Sequence, residues 1–188
     1  MMHRALIPTM WLLWVIYWKA AAANTKHAVR QESFGSRAIH IGALAVAIVL
    51  LSVPSIPILA LDRHFVPRGA TEFWIGAAIT AIGLLFSIWA RGYLGANWSG
   101  AVTIKDRHAL VCNGPYAWAR HPIYTGLLLA FAGSAIALGQ WRDILAVIVV
   151  AAALWRKLKI EEKWLAQEFG AAYFDYQKKV AALIPFVI

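Results

Sequence analysis

Charge is scarce in this chain. Only 14% of its 188 residues are Asp, Glu, Lys or Arg, against about a quarter in a soluble domain. With 61% hydrophobic residues and a mean hydropathy of +0.62, the composition excludes an ordinary soluble domain and indicates an integral membrane protein. Cysteine is scarcer still. Cys112 alone excludes an internal disulfide and a cysteine-rich metal site, leaving an ordinary, partly buried thiol as the expectation. No two glycines form a Gly-x-Gly pair, which excludes a Rossmann-type nucleotide loop. The six histidines show no metal or haem spacing, so no metal ligands are assigned.

What the chain has is apolar runs. Five segments, roughly 5–23, 38–61, 72–94, 122–139 and 141–160, each approach the ~20 residues a helix needs to cross the hydrocarbon core. The expected fold is therefore all-α: a polytopic membrane protein with about five transmembrane helices, the length suggesting one domain over 1–188. Pro54 and Pro57 should kink or break the second segment near its far end. Gly139, Gln140 and the Trp141-Arg142-Asp143 boundary leave room only for a tight antiparallel hairpin between the fourth and fifth. The first segment differs from a signal peptide. Only Arg4 precedes it, whereas Lys19, Lys26, Arg30 and Arg37 lie at its far end or beyond. A retained first helix is expected.

Basic residues set the expected orientation. One side holds Lys19, Lys26, Arg30, Arg37, Arg91, Lys105, Arg107, Arg120, Arg156, Lys157, Lys159, Lys163, Lys178 and Lys179. The other holds Arg4, Arg63, Arg68 and Arg142. Fourteen against four places the N-terminus outside and the C-terminus in the cytoplasm, with a prokaryotic plasma membrane as the expected location. The net charge of +9 is then mostly topological, with some attraction to anionic lipid headgroups, and calls for no nucleic acid. On the basic side, the 95–121 connection is too long and too apolar for a simple turn. It is expected to be structured and to pack at the interface. The tail beyond 160 reads as a cytoplasmic, amphipathic continuation of helix 5 that breaks or bends near Gly170.

Residues 114–126 put Arg120, His121, Tyr116 and Tyr124 at the mouth of the fourth segment. Pro122 suits the first position of a helix, and it pushes His121 towards an extended conformation. The N–H groups of the first turn can then bind an anion, helped by the helix dipole and Arg120. Glu161 and Glu162 can approach from the tail, and Lys157 shares a helical face with Glu161. Blander readings stand beside this one. Arg120 and His121 also suit a positive-inside flank with an aromatic belt, and Lys157–Glu161 suits an exposed pair worth about 0.3–0.5 kcal/mol. His108 alone suits a loop histidine.

The order of motifs adds a resemblance. Asn97-Trp98-Ser99, Ile104-Lys105-Asp106, His108-Ala109-Leu110-Val111, Gly114-Pro115-Tyr116 and Arg120-His121-Pro122-x-Tyr124 come first. Glu161-Glu162-x-x-Leu165, Phe169-Gly170, Tyr173, Tyr176 and Ile184-Pro185-Phe186 follow. This set, within residues 90–188, resembles the isoprenylcysteine carboxyl methyltransferase family and its prokaryotic relatives, which are similar in turn to phospholipid N-methyltransferases. Residues 1–90 match only in helix number and hydrophobicity, so 91–188 is the expected catalytic half.

The resemblance implies a membrane methyltransferase using S-adenosyl-L-methionine. It implies that His108, Ala109, Leu110, Val111, Tyr116, His121, Pro122, Ile123, Tyr124 and Glu161 contact the cofactor. Arg120 and Glu162 are then the expected catalytic groups, and Lys157 and Arg156 the substrate-binding ones. Family members that methylate a carboxylate tend to have arginine where Lys157 stands, and lysine lacks the bidentate fork. The acceptor is expected to be a lipophilic or lipidated molecule from the membrane, favouring a prenylcysteine-like carboxylate. The alternatives are a phospholipid or other amine, an NADPH-dependent membrane reductase, and a non-catalytic scaffold.

Overall fold

The computed structural model describes residues 3–23, 28–53, 61–67, 69–98, 103–105 and 110–184. Five long helices carry the architecture: α1 (His3–Ala22), α2 (Phe34–Ser52), α3 (Ala70–Leu94), α4 (Pro122–Leu138) and α5 (Trp141–Phe169). A short α6 (Ala171–Lys179) follows. By length and composition α1, α2 and α3 can each cross a bilayer, while α4 is apolar but shorter, at 17 residues. At 1.5 Å per residue, the 29 residues of α5 span about 44 Å, against roughly 30 Å of hydrocarbon. Its last turns therefore project beyond the membrane, as the charges there require. Exposed apolar side chains such as Leu13, Ile48, Ile82 and Leu85 coat the helices as lipid-facing groups do.

Helix ends fall where the sequence breaks them. α2 stops at Ser52, and Val53, the residue before Pro54, is extended at φ −70° and ψ 133°. Pro54 and Pro57 lie outside the described residues. Gly139 closes α4 in the left-handed region at φ 77°, and Gln140 caps α5 in a reciprocal box with Asp143. That is the tight hairpin the sequence demands. Gly170, at φ 51° and ψ −125°, breaks α5 from α6 in a conformation that glycine adopts readily.

The centre of the bundle is an antiparallel α3–α4 pair held by glycine. A Cβ on Gly83 would lie 2.5 Å from the backbone of Ala130 and Gly126, and one on Gly76 would lie 2.4 Å from the nitrogen of Ala137. Gly126 and Gly133 meet α3 in the same way. In lipid, where burying apolar surface gains little, such backbone approach is the main source of helix association. Buried hydroxyls extend the contact. Thr80 donates to the Gly76 carbonyl at 2.9 Å and lies 3.3 Å from Ser134 Oγ. α1 is pinned across the pair by two indoles, Trp11 donating to Ser134 Oγ at 3.0 Å and Trp14 to Ser87 Oγ at 2.8 Å.

Both ends of the bundle are tied by short backbone pairings. At one end Phe65 N–H donates to the Gly139 carbonyl and Trp141 N–H to that of Arg63. At the other, β1 (Ala28–Gln31) pairs antiparallel with β2 (Thr103–Lys105). The ladder joins the 24–37 and 95–121 connections, so the two basic loops share one end with the tail. Its strands are three and four residues long, too short for periodicity to reveal, and the pairing spans α2 and α3 in sequence.

Candidate active site

The tail builds the site by folding back. After α6, Val180–Leu183 runs beside the chain entering α4. Arg120 N–H donates to the Ala181 carbonyl at 2.8 Å and His121 N–H to that of Ala182 at 2.9 Å. Thr125 Oγ1 donates to the Leu183 carbonyl at 2.7 Å, and Tyr176 OH to the Tyr116 carbonyl. This clamp presses the end of α5 onto the start of α4. His121, at φ −124° and ψ 60°, leaves the helical region but stops short of the extended one expected beside Pro122. The negative charge beside the α4 N-terminus comes from the chain's own Glu161 and Glu162.

Glu162 is buried and holds two cations. Arg120 Nε donates to its Oε1 at 2.7 Å and Arg120 Nη2 lies 2.6 Å from the same oxygen, while His121 Nε2 stands 3.5 Å away. Arg120 also donates through Nη1 to the carbonyls of Gln177 and Val180. Glu161, on the next residue and a different face, lies 3.5 Å from His121 Nδ1 and accepts from Tyr124 OH at 2.6 Å. Lys157 Nζ is 3.9 Å from it. The rings of His121 and Tyr124 stack with 5° between planes.

These contacts set the charges. Burial opposes ionisation of Glu162, but the adjacent His121 ring and the Arg120 guanidinium outweigh it and pull the pKa down to about 2. Glu161 is likewise held below its ordinary value, burial being overcome by His121 and Lys157. Burial also opposes charge on His121, yet the two carboxylates raise its pKa. The contacts therefore favour the charged forms of both carboxylates and of His121 beside the Arg120 guanidinium.

Beside the cluster lies a cavity of about 420 Å³, within the size range of small-molecule sites. Tyr116, Arg120, His121, Ile123, Tyr124, Lys157 and Glu161 line it. Glu162 does not reach the wall; it sits behind, orienting Arg120 and His121. Pro122 is fully buried, Val111 packs on the core, and Leu110 does not line the cavity. His108 and Ala109 lie outside the described residues. Arg156 corrects an expectation. Successive helical residues diverge by about 100°, so while Lys157 faces the cavity, Arg156 turns to α2. There its Nη2 donates to Ser36 Oγ at 3.1 Å, and its Nη1 stands 3.1 Å from His40 Nε2. Cys112 is exposed, not partly buried.

Helices 1 and 2 contribute groups the sequence reading missed: Trp14 and Trp18 from α1, Glu32 before α2, and Arg37 and His40 within it. A histidine inside an apolar segment was the available signal, since intramembrane ionisable groups default to functional roles. Trp98, held by Arg91 at 4.5 Å from its ring, and Trp164 complete the aromatic wall. A second, larger cleft of about 1370 Å³ runs between α1, α2 and α4 and shares Trp14, Leu44 and Leu127 with the first. Ile48, Leu51 and Phe131 make it mostly apolar.

The helical membrane bundle thus carries its charged cluster on the wall of one cavity, and that cavity meets a larger, mostly apolar cleft at Trp14, Leu44 and Leu127. The chain belongs to the phospholipid methyltransferase family, whose model matches residues 71–172, from α3 into α6. The resemblance read from the motifs holds. Over 119 residues the chain is 30% identical to protein-S-isoprenylcysteine O-methyltransferase of Saccharomyces cerevisiae, covering 60% of this chain and 48% of that protein. Over 140 residues it is 32% identical to the protein of that name from Rattus norvegicus, covering 68% and 47%. The solved structure of a eukaryotic intramembrane Ras methyltransferase, isoprenylcysteine carboxyl methyltransferase, matches with a TM-score of 0.54 at 25% identity, over 85% of this chain and 55% of that one. The chain spans about half the length of the curated relatives it matches.

Proposed function

We propose that this chain is an S-adenosylmethionine-dependent methyltransferase acting on the carboxylate of a lipophilic, membrane-held acceptor. The observation that carries the reading is the junction of the two cavities at Trp14, Leu44 and Leu127. It joins a charged small-molecule site to an apolar cleft that can take a hydrocarbon chain. The residues present fit the cofactor. Glu161 can accept from its ammonium or ribose hydroxyls, and Tyr116, Tyr124 and the tryptophans offer faces to its adenine and sulfonium. His121 and Ile123 complete that wall. When bound, the cofactor supplies an electrophilic methyl group.

The chain's own task is then positioning. Lys157 and Arg120 attract the acceptor carboxylate, Glu162 keeps Arg120 in place, and the indole walls exclude water. A carboxylate needs no general base. An amine acceptor would, and the contacts favour the carboxylate, because the two glutamates raise the pKa of His121 and are themselves engaged by cationic neighbours. The basic end of the bundle, carrying the β1–β2 ladder and the tail, faces the cytoplasm in this reading, where the cofactor enters.

Calorimetric titration of purified protein with S-adenosylmethionine tests it. Wild type should bind, and Glu161→Ala or His121→Ala should weaken binding roughly 10–150-fold, the loss of a charge-assisted bond of about 1.5–3 kcal/mol. Unchanged affinity in both variants refutes the cofactor assignment. Label transferred from methyl-labelled cofactor should be base-labile, as an ester is; base-stable label points to an amine acceptor.

A further inference from the structure

The wall of the cavity opposite the α4–α5 cluster is built from α2, and one of its atoms lacks a partner. His40 is 8% exposed and lines the cavity. Its Nε2 is held from two sides, 3.3 Å from Glu32 Oε2 and 3.1 Å from Arg156 Nη1. Its Nδ1 is buried and has no hydrogen-bond partner among the described residues. Leaving such an atom unsatisfied is unfavourable, and a ligand that accepts from it removes the penalty.

The neighbours decide what Nδ1 offers. Arg156 can only donate, so it requires a bare Nε2, which puts the hydrogen on Nδ1. Arg156 is the nearer of the two neighbours, at 3.1 Å against 3.3 Å for Glu32, so its contact selects this neutral tautomer and Nδ1 donates. Arg37 and Lys157 line the same cavity, so the group best received is an anionic oxygen.

We propose that His40, positioned by Arg156 and Glu32, is a binding residue for the acceptor, its Nδ1–H donating to the acceptor's carboxylate. This rests on the methyltransferase reading and names the part of that site that selects an anion. Arg156, expected at the substrate itself, acts through His40.

The probes are N-acetyl-S-farnesylcysteine and its neutral carboxamide, with binding to the purified full chain followed by quenching of its tryptophans. The shared tail cancels partition into detergent, so the ratio of the two affinities reports the headgroup. Wild type should prefer the carboxylate by about tenfold or more, the scale of one charge-assisted bond. His40→Gln, which keeps a polar atom towards Arg156 and removes the Nδ1 donor, should lower that ratio about tenfold, Lys157 and Arg120 supplying whatever preference is left, while leaving S-adenosylmethionine affinity within about twofold of wild type. A ratio in H40Q unchanged from wild type overturns the role of His40 and leaves the methyltransferase reading standing. No preference in wild type overturns the anionic headgroup. Failure of wild type to bind S-adenosylmethionine overturns the underlying reading instead. Should H40Q not fold, H40N is measured in its place: its amide N–H replaces the Nδ1 donor, so the preference should survive, and its loss overturns the proposal.

Discussion

Glu162 does not touch the cavity, yet it holds the two residues that do. Its carboxylate is shared by Arg120 and His121, and removing one partner of a buried pair strands the other's charge. Glu162→Gln should cost about 3–5 kcal/mol, read as a drop in melting temperature in detergent, and should weaken cofactor binding indirectly. The sign of the pH dependence follows from the same contacts. His121 has a raised pKa, so its contribution is complete below its unfolded value of about 6.5 and is lost as pH rises through the folded one. Glu162 has a depressed one, so its contribution is present above about 4.3 and is lost as pH falls towards about 2. Wild-type melting temperature should therefore fall as pH is raised from 6 to 9, and His121→Gln should flatten that slope. An identical slope in both proteins would assign the alkaline loss to another group.

At the scale of elements, glycine decides where helices meet and where one ends. Gly83 lets α3 reach the α4 backbone, and Gly83→Leu should destabilise the bundle by about 1–3 kcal/mol or more through overpacking. A stability within a few tenths of wild type would show that the pair can spread without loss. Gly170 acts differently, since nothing crowds it and only its dihedral angles matter. Gly170→Ala should cost about 1–3 kcal/mol of backbone strain and loosen α6. The carbonyls of Ala181 and Ala182 would then hold Arg120 and His121 less firmly, so cofactor affinity should fall along with stability. The Phe169-Gly170 step was legible as a break in the sequence. The return of the tail was not, because its backbone hydrogen bonds carry no side-chain signature.

For the whole molecule, the single exposed thiol offers a direct measure of orientation. Cys112 lies on the connection into α4, at the end bearing the basic tail. A membrane-impermeant maleimide should label it in inside-out vesicles and not in right-side-out ones. The reverse pattern would invert the topology and place the cavity outside the cell.

Composition and charge by themselves determined the class, the helices and the end of the bundle where the basic residues gather. Apolar runs, helix breakers and the scarcity of charge in lipid are local properties that leave a direct trace in sequence. The motif order also singled out Tyr116, His121, Tyr124, Lys157 and Glu161, all of which line one cavity. Only the tertiary structure decided that Glu162 stands behind them, that Arg156 turns away from Lys157, and that α2 supplies Glu32 and His40. Those facts depend on which helical face meets which neighbour across more than a hundred residues, as Arg156 meets Ser36 and His40. A face is set by packing the whole bundle, and no local pattern encodes its partner.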